Sequence, residues 1–248
     1  MSNLFEVKEL RKSFGANLVL DNVSIEFPAQ SATVIIGASG SGKSTLMRCM
    51  NLLEELNDGQ ILLDSQDISA YGIDLDSVRG KIGSVFQAFN LFPHLSVVQN
   101  ITLAPRLVHG KSKDEADLLA RTLLTRFGLA EKADEYPNLL SGGQQQRVAI
   151  IRAVATNPML LLLDEVTSAL DPVLIAEVLT LISELKNEGM TMVIATHEMG
   201  FAKKIADNIV FLHKGRVHES GTPEKIFNAP QTQELKEFLG ALHQAGRL

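Results

Sequence analysis

The sequence predicts an α/β fold in which a parallel sheet forms the centre, an antiparallel β subdomain precedes it and a helical subdomain is inserted into it. Short apolar runs, Thr33 to Ile36 and Met192 to Ala195 among them, are typical of strands buried on both faces of a parallel sheet. The stretch 88–157 is instead rich in helix signals. With 45% hydrophobic residues in 248, the chain can bury a full core. We expect one domain over residues 1–248, with the helical insertion at approximately 88–157.

A glycine-rich loop follows the strand Thr33 to Ile36 and leads into a helix that we predict over Lys43 to Leu53. Its sequence fits the phosphate-binding pattern G-x-x-x-x-G-K-[ST], which predicts the core of a P-loop NTPase. The loop consists of Gly37, Ala38, Ser39, Gly40, Ser41, Gly42, Lys43, Ser44 and Thr45. Glycine lets the backbone turn tightly and point N–H groups at an anion, at the positive end of the following helix. The pattern assigns Lys43 to the β- and γ-phosphates and the Ser44 hydroxyl to Mg²⁺.

An aromatic residue, Phe14, lies upstream of this loop, between two predicted strands, Phe5 to Glu9 and Val23 to Phe27. Its ring could belong to the core of the small antiparallel sheet that these strands form. It could also offer a face on which an adenine ring stacks. The residues alone leave both interpretations open.

The segment after the phosphate loop contains one polar residue and one apolar loop that could have a function. Gly83 to Phe86 predicts a short strand that ends in Gln87, and a glutamine at such a position is usually a solvated amide. The apolar loop Asn90 to Asn100, with Phe89, Phe92, Pro93 and His94, is either core or, if exposed, a docking surface for another protein. The sequence around Gln87 does not by itself assign a role to this residue.

Ser112 and Glu115 form a capping box, which predicts that a helix starts there.

A second anion site is predicted where Leu140 precedes a helix start formed by Ser141, Gly142, Gly143 and Gln144. Ser141 is a good N-cap, and two glycines leave backbone N–H groups free to meet a phosphate. One nucleotide does not need two such sites on the same chain. A head-to-tail dimer resolves this, because a two-fold axis places the helix start of each copy against the γ-phosphate held by the other. We therefore expect a homodimer with shared nucleotide sites.

Two carboxylates, Asp164 and Glu165, follow the apolar strand Met159 to Leu163. Burying either without compensation is costly, so a cation is expected nearby. Because neighbouring side chains on a strand point in opposite directions, we expect separate roles, Asp164 in the Mg²⁺ shell and Glu165 in polarising an attacking water. His197 follows the strand Met192 to Ala195, at the carboxyl edge where open α/β sheets place ligands. A lone histidine there is equally compatible with a structural and a catalytic role.

The rest of the chain predicts a helix from Val173 to Lys186, followed after Met192 to Ala195 by a hairpin built from Ile209 to Leu212 and Arg216 to Glu219. Terminal helices complete a C-terminal unit over 209–248. The histidines other than His197 show no metal-ligand spacing.

Composition narrows the partners and the compartment. The net charge is −6 and the lysines and arginines form no block, which argues against nucleic acid and leaves protein and nucleotide as expected partners. Residues 1–6 lack a basic segment followed by an apolar core, and no run approaches the ~18 apolar residues of a spanning helix. The single Cys49 can form no internal disulfide, and its helix position favours the core. We expect a cytosolic chain.

In order and spacing, these motifs resemble the nucleotide-binding subunit of ATP-binding cassette (ABC) transporters. The resemblance covers essentially the whole chain and implies an ABC ATPase fold with ATP and Mg²⁺ as ligands. The segments that carry it are the phosphate loop, Gln87, Leu140 to Gln144, Leu160 to Glu165, Ser168 to Asp171, and His197.

The resemblance also implies a role for each matching residue. Those on the nucleotide are Phe14 against adenine, the phosphate loop with Lys43 and Ser44 on phosphate, Gln87 as sensor of the γ-phosphate, Glu165 as catalytic base, and His197 holding the γ-phosphate and the water. The implied metal contacts are Ser44, Gln87 and Asp164. Those acting across the dimer are Ser141 with Gly142, Gly143 and Gln144, and Asp171 at the interface.

Finer features resemble the ATPases of bacterial polar-amino-acid importers. They are Leu46 to Asn51 with Cys49, Asn100 to Pro105, Gln144 to Arg147, and Thr196 to Ala202. The resemblance implies a membrane permease as direct partner, a solute-binding protein as indirect one, and a location on the inner face of the cell membrane. Two positions depart from the family pattern, Ala38 and Val166, where proline is usual. Neither loses a functional group, although Val166 lacks the fixed φ of proline beside Glu165.

Three other kinds of protein share the catalytic motifs. DNA-maintenance and scaffold ATPases of this superfamily carry long coiled-coil or zinc insertions, which this sequence does not, and a translation factor of this superfamily would carry two cassettes. An exporter ATPase differs only in the finer features. We expect neighbouring genes for a permease and a secreted binding protein to separate import from these alternatives.

Overall fold

The computed structural model describes residues 3–168 and 170–246; Ala169, in the predicted motif Ser168 to Asp171, falls outside them. Within these residues the strands are β1 (Asn3–Phe14), β2 (Asn17–Pro28), β3 (Ala32–Ile36), β4 (Asp58–Leu63), β5 (Gln66–Asp67), β6 (Ile82–Val85), β7 (Leu160–Asp164), β8 (Met192–Ala195), β9 (Asn208–His213) and β10 (Arg216–Gly221). The α-helices are α1 (Lys43–Met50), α2 (Leu75–Arg79), α3 (Val97–Leu107), α4 (Lys113–Arg126), α5 (Gly142–Val154), α6 (Pro172–Asn187), α7 (Met199–Ile205), α8 (Pro223–Asn228) and α9 (Gln233–Gln244), and Ala130–Lys132 and Pro137–Leu139 are short 3-10 helices.

The described strands form two sheets, of which the larger has the order β10-β9-β3-β8-β7-β6. Its strands pair in parallel except for β10, which runs antiparallel to β9. Along β3, Val34 and Ile36 face one hydrophobic core and Ile35 faces the other. The predicted parallel sheet is confirmed, and burial on both faces explains why its strands read as unbroken apolar runs.

The smaller sheet is antiparallel, with the order β2-β1-β4-β5. Strands β1 and β2 are longer than the sequence predicts, and Phe14 pairs with Asn17 beside the hairpin turn. Positive φ angles at Glu9 and Asn22 accompany irregularities in the pairing of these strands. Because β1 is hydrogen-bonded to strands on both sides, pairing extends through polar residues whose local preference for strand is weak.

Three capping boxes organise the helical region. The predicted box of Ser112 and Glu115 is confirmed at the start of α4, and Ser141 begins α5 in the same way. A third box, at Ser96, starts α3, so the predicted loop ends earlier and Asn100 lies in a helix. The helical core also takes residues from α5 and α6, which packs this region against one face of the central sheet.

Cys49 lies in the other core, which joins α1 to the antiparallel sheet. Burial raises the pKa of its thiol to about 12, so the side chain is an inert core group as predicted.

The carboxyl ends of four parallel strands meet at one edge of the central sheet. Each is followed by a residue that the sequence singles out: Gly37 after β3, Gln87 after β6, Glu165 after β7 and His197 after β8. Topology therefore brings together residues separated by up to 160 positions, because parallel strands align their ends.

Candidate functional site

The phosphate loop folds as a cradle in which a Cβ at two of its glycines would approach neighbouring atoms too closely without a shift. A Cβ on Gly37 would lie 2.2 Å from the Leu212 carbonyl oxygen, and one on Gly42 would lie 2.8 Å from Leu20 Cδ2. Both glycines have positive φ, 155° and 106°. The Ser41 hydroxyl is buried in this loop without a hydrogen-bond partner among the described residues. Such a buried, unsatisfied donor fits a ligand that brings acceptor oxygens, as a phosphate does.

Lys43 carries the charge of the cradle. Its Nζ donates to the carbonyl oxygens of Gly37 and Ala38 at 3.0 and 3.2 Å, and it lies 3.5 Å from Glu165 Oε1. Burial lowers the pKa of Lys43, and the neighbouring Glu165 opposes that shift. The ammonium group is thus held beneath the loop, where it can exchange carbonyl contacts for phosphate oxygens.

Asp164 and Ser44 form a pair of hard oxygen donors beside the cradle. The Ser44 hydroxyl donates to Asp164 Oδ1 at 3.1 Å, and Asp164 is 5% exposed. Burial raises the pKa of Asp164. The exposed Gln87 lines the same open cavity of about 650 Å³. A hydroxyl, a carboxylate and an amide oxygen are ligands that suit Mg²⁺, which keeps its remaining positions for water and phosphate.

Glu165 and His197 meet next to Lys43. His197 Nε2 lies 2.9 Å from Glu165 Oε1, and the Glu165 N–H donates to the Ala195 carbonyl oxygen. Glu165 lies beyond the end of β7 and has a φ of 49°. The predicted reason for its separate role, alternation along a strand, is therefore wrong. Glu165 instead lies in a turn at a positive φ, a strained conformation that is typical of functional sites. Its carboxylate contacts His197, whereas that of Asp164 contacts Ser44.

The helix start at Ser141 lies against a different part of the fold. Ser141 Oγ accepts a hydrogen bond from the Gln144 N–H, and Gln144 Oε1 accepts one from the Ser141 N–H at 3.0 Å. A Cβ on Gly143 would lie 2.9 Å from the Leu174 side chain, so only glycine fits without a shift. Among the hydrogen bonds and ion pairs of the described residues, none joins this helix start to the phosphate loop.

Phe14 and Asp171 were predicted to contact the adenine ring and the second copy of the chain, respectively. Phe14 is 47% exposed, so the interpretation that it belongs to the core is wrong, and its ring is available to a ligand. Asp171 precedes α6, and its Oδ1 accepts a hydrogen bond from the Leu174 N–H.

The structure adds two residues that the sequence did not single out. Arg152, on α5, donates to the carbonyl oxygens of Asn90 and Phe89 at 2.7 and 3.3 Å, across about sixty positions of chain. Lys12, on β1, is buried beside Phe14. No local sequence pattern predicts the contacts of Arg152. The proximity of Lys12 to Phe14 could have been predicted, because side chains two residues apart on a strand share a face.

Comparisons with known proteins agree with this geometry. Residues 20–168 match the sequence model of a family described as ABC transporter. The chain is 49% identical to the glutamine transport ATP-binding protein GlnQ of Escherichia coli (strain K12), covering 95% of this chain and 98% of that protein. It is 48% identical to the arginine transport ATP-binding protein ArtM of Bacillus subtilis (strain 168), with 95% and 98% covered.

A solved structure supports the same assignment. It is described as the dimeric post-hydrolysis state of the ATP-binding cassette MJ0796 bound to ADP and Pi. It is 33% identical to this chain, covers 88% of this chain and 98% of its own, and superposes with a TM-score of 0.79. The chain belongs to the ABC transporter family and has the fold of that family's ATPase cassettes.

Proposed function

We propose that this chain is the ATP-binding and ATP-hydrolysing subunit of an importer for polar amino acids. The observation that carries the proposal is the convergence of Lys43, Asp164, Glu165 and His197 at one edge of the sheet. The relatives named above are transport ATP-binding proteins for glutamine and for arginine, which supports the substrate class.

The residues divide the reaction between binding and proton transfer. The cradle and Lys43 bind the triphosphate, while Ser44, Asp164 and Gln87 would hold Mg²⁺. When bound, Mg²⁺ neutralises charge on the β- and γ-phosphate oxygens. Glu165 accepts a proton from the attacking water. His197, hydrogen-bonded to Glu165, fixes the direction of that carboxylate and offers a contact to the γ-phosphate.

Each ATP site in this proposal is completed by a second copy of the chain. The helix start at Ser141 and Gly143 is separate from the phosphate loop within one chain, while its amide groups form a suitable anion site. The related cassette in the solved structure is described as dimeric. Ser141 and Gly143 of one copy would therefore contact the γ-phosphate held by the other, with Asp171 at the interface.

The proposed surface for the membrane permease is an open groove of about 970 Å³ beside the helical region. Phe92 lines it and is 42% exposed, and Leu107 lines it and is 76% exposed. Arg152 holds the backbone of the preceding loop, and the Arg152 guanidinium lies 5.9 Å from the Phe92 ring centroid. Exposed apolar residues on a fixed loop are suited to a protein partner.

This surface would place the chain at the inner face of the membrane, with a solute-binding protein contacting the permease from the other side. Within the described part of the chain, every helix is too short or too polar to span a bilayer.

The test is transport by the assembled system. The chain is purified with the permease encoded beside its gene and reconstituted into vesicles that contain ATP on the cassette side, together with the neighbouring binding protein. We expect ATP-driven uptake of glutamine, glutamate or arginine, and loss of uptake with Lys43→Ala. ATP-driven movement in the opposite direction, or hydrolysis that no amino acid stimulates, would contradict the importer assignment.

A further inference from the structure

Lys12 is a buried cation on β1, outside the phosphate loop. The side chain is 10% exposed, and its Nζ donates to the Glu55 carbonyl oxygen at 2.8 Å and pairs with Glu54 Oε2 at 3.2 Å. The same Nζ lies 4.7 Å from the centroid of the Phe14 ring. A lysine is rarely buried unless its ammonium group is satisfied, and here two oxygens and an aromatic face satisfy it.

Further contacts bind the same two segments together. The Ser13 N–H donates to Asn57 Oδ1 at 2.6 Å, and the Asn57 N–H donates to the Arg11 carbonyl oxygen at 2.9 Å. The end of β1 is therefore fastened to the segment 54–57. That segment follows α1, the helix whose first residues are Lys43 and Ser44. A connected set of contacts thus runs from the Phe14 ring to the helix that carries the phosphate site.

We propose that Lys12 is a positioning residue that holds Phe14 as the platform for the adenine ring. This inference rests on the assignment of Phe14 to the base in the proposed function. The ammonium group lies over the ring and anchors it to the segment 54–57, while Phe14 as a residue stays 47% exposed and so accessible to a ligand.

Two physical effects follow from this arrangement. The anchor reduces the freedom of an exposed ring at a hairpin turn, so less entropy is lost when a base stacks on it. The cation also draws π-electron density toward itself, which makes the opposite face less repulsive to the electron-rich face of a purine. Both effects act on the base and leave the triphosphate contacts of Lys43 and Ser44 unchanged.

The test compares two ligands of the purified chain, ATP and inorganic tripolyphosphate, which lacks a base. Lys12→Met removes the charge and keeps an unbranched side chain. We expect the KM for ATP to rise about three- to five-fold, the scale of a cation–π contact, with kcat unchanged and the inhibition constant of tripolyphosphate unchanged. Lys12→Arg should restore the KM, and Lys8→Met, on the same strand, serves as the charge-matched control.

A double variant separates a role through Phe14 from a merely structural one. Phe14→Ala should raise the KM for ATP, and adding Lys12→Met to it should cause no further rise. If Phe14→Ala leaves the KM unchanged, both the platform and the role of Lys12 are overturned. If Phe14→Ala raises the KM and Lys12→Met does not, only the role of Lys12 is overturned, as it is if Lys12→Met weakens tripolyphosphate equally.

Lys12→Gln carries the same test if Lys12→Met does not fold, because a glutamine amide can still donate to the Glu55 carbonyl oxygen. We expect the same rise in KM without a change in kcat. An unchanged KM in a folded Lys12→Gln would overturn the inference.

Discussion

The two helix starts that carry anion-binding sequences differ in how far their own chain satisfies them. At the phosphate loop, Lys43 is buried with a lowered pKa, Asp164 is buried with a raised pKa, and the Ser41 hydroxyl is buried and unpaired. At the other site, Ser141 and Gln144 satisfy each other in a capping box at the surface. At the first site, burying charged and unpaired polar groups costs free energy, and a bound ligand would reduce that cost. At the second site, the polar groups of the helix cap are already paired.

This difference suggests separate roles for the two helix starts in ligand binding. A site that keeps buried charges must bind its ligand strongly, because the ligand restores the solvation that folding removed. A well-capped helix start does not lower the stability of the folded chain. It is therefore suited to a contact that forms and breaks during the proposed cycle of ATP binding and hydrolysis. Stability and function therefore conflict at the phosphate loop and agree at Ser141.

The largest effect is expected at Glu165, the proposed catalytic base. Glu165→Gln should reduce ATP hydrolysis about 10²–10⁴-fold while ATP binding persists, because an amide cannot accept the proton of water and Asp164 still supports Mg²⁺. The variant should accumulate as an ATP-bound dimer in size-exclusion chromatography. Glu131→Gln, at an exposed position, is the control. Near-normal hydrolysis by Glu165→Gln would show that another group is the base.

Mixed dimers test whether the two helix starts share one site. Ser141→Arg and Lys43→Ala should each be inactive alone, and a mixture should recover hydrolysis, because each heterodimer contains one composite site free of both changes. The matched control combines the wild-type chain with the double variant Lys43→Ala/Ser141→Arg, whose heterodimer has one change in each site. Heterodimers of both kinds are isolated through differential tags, so that wild-type homodimers do not contribute. An inactive heterodimer of Ser141→Arg with Lys43→Ala, or equal activity in the control heterodimer, would contradict sharing.

The loop Phe89 to Leu95 lies beside the helix that starts at Ser141. We expect this loop to connect that helix start, which forms part of the proposed shared ATP site, to the permease. The ring of Phe89 in this loop would lie 3.7 Å from a Cβ placed on Gly142. Phe92→Ala should weaken permease binding and substrate-stimulated hydrolysis together, by about tenfold or more if the residue is a hot spot, and leave basal hydrolysis of the isolated subunit intact.

Thermal melting distinguishes this outcome from loss of a core residue. Truncating a buried phenylalanine costs ~3–5 kcal/mol, whereas Phe92 is 42% exposed and should cost far less. A large fall in melting temperature with a proportionate loss of basal activity would place the docking surface elsewhere.

The smallest effects concern stability and have opposite signs at the two sites. Asp164→Asn should raise the melting temperature of the nucleotide-free chain by a few degrees, on the scale of ~2–4 °C per 1 kcal/mol, because it removes a carboxylate whose charged form folding disfavours. Ser141→Ala should lower it, since losing an N-cap costs ~1 kcal/mol.

The pH dependence of the first effect follows from the raised pKa of Asp164. The folded state binds this proton more tightly than the unfolded state, so the penalty is complete above the folded pKa and disappears as the pH falls below the unfolded pKa. The advantage of Asp164→Asn in scanning calorimetry should therefore shrink as the pH is lowered into the acid range. An advantage that grows on acidification would contradict the assignment.

Local patterns were sufficient for the elements whose signals lie within a few residues. The glycines and Lys43 of the phosphate loop, the capping box at Ser112, the N-cap at Ser141, and the unbroken apolar strands could all be predicted, because each depends on backbone geometry or burial over a short segment. The lengths of β1 and β2 were underestimated, because strand pairing on both sides of β1 overrides the weak preferences of its polar residues.

The sequence by itself determined the chemical groups of the site and the strand ends that carry them, since motif spacing and β-strand patterns are local properties. Only the tertiary structure decided that Glu165 lies in a turn at a positive φ, that Phe14 is exposed, and that the Lys12 ammonium group pairs with the segment 54–57. Each of these depends on contacts between segments far apart in the chain, such as Lys12 with Glu55. No local pattern encodes such contacts, because they form only when the two sheets and the helices between them pack together.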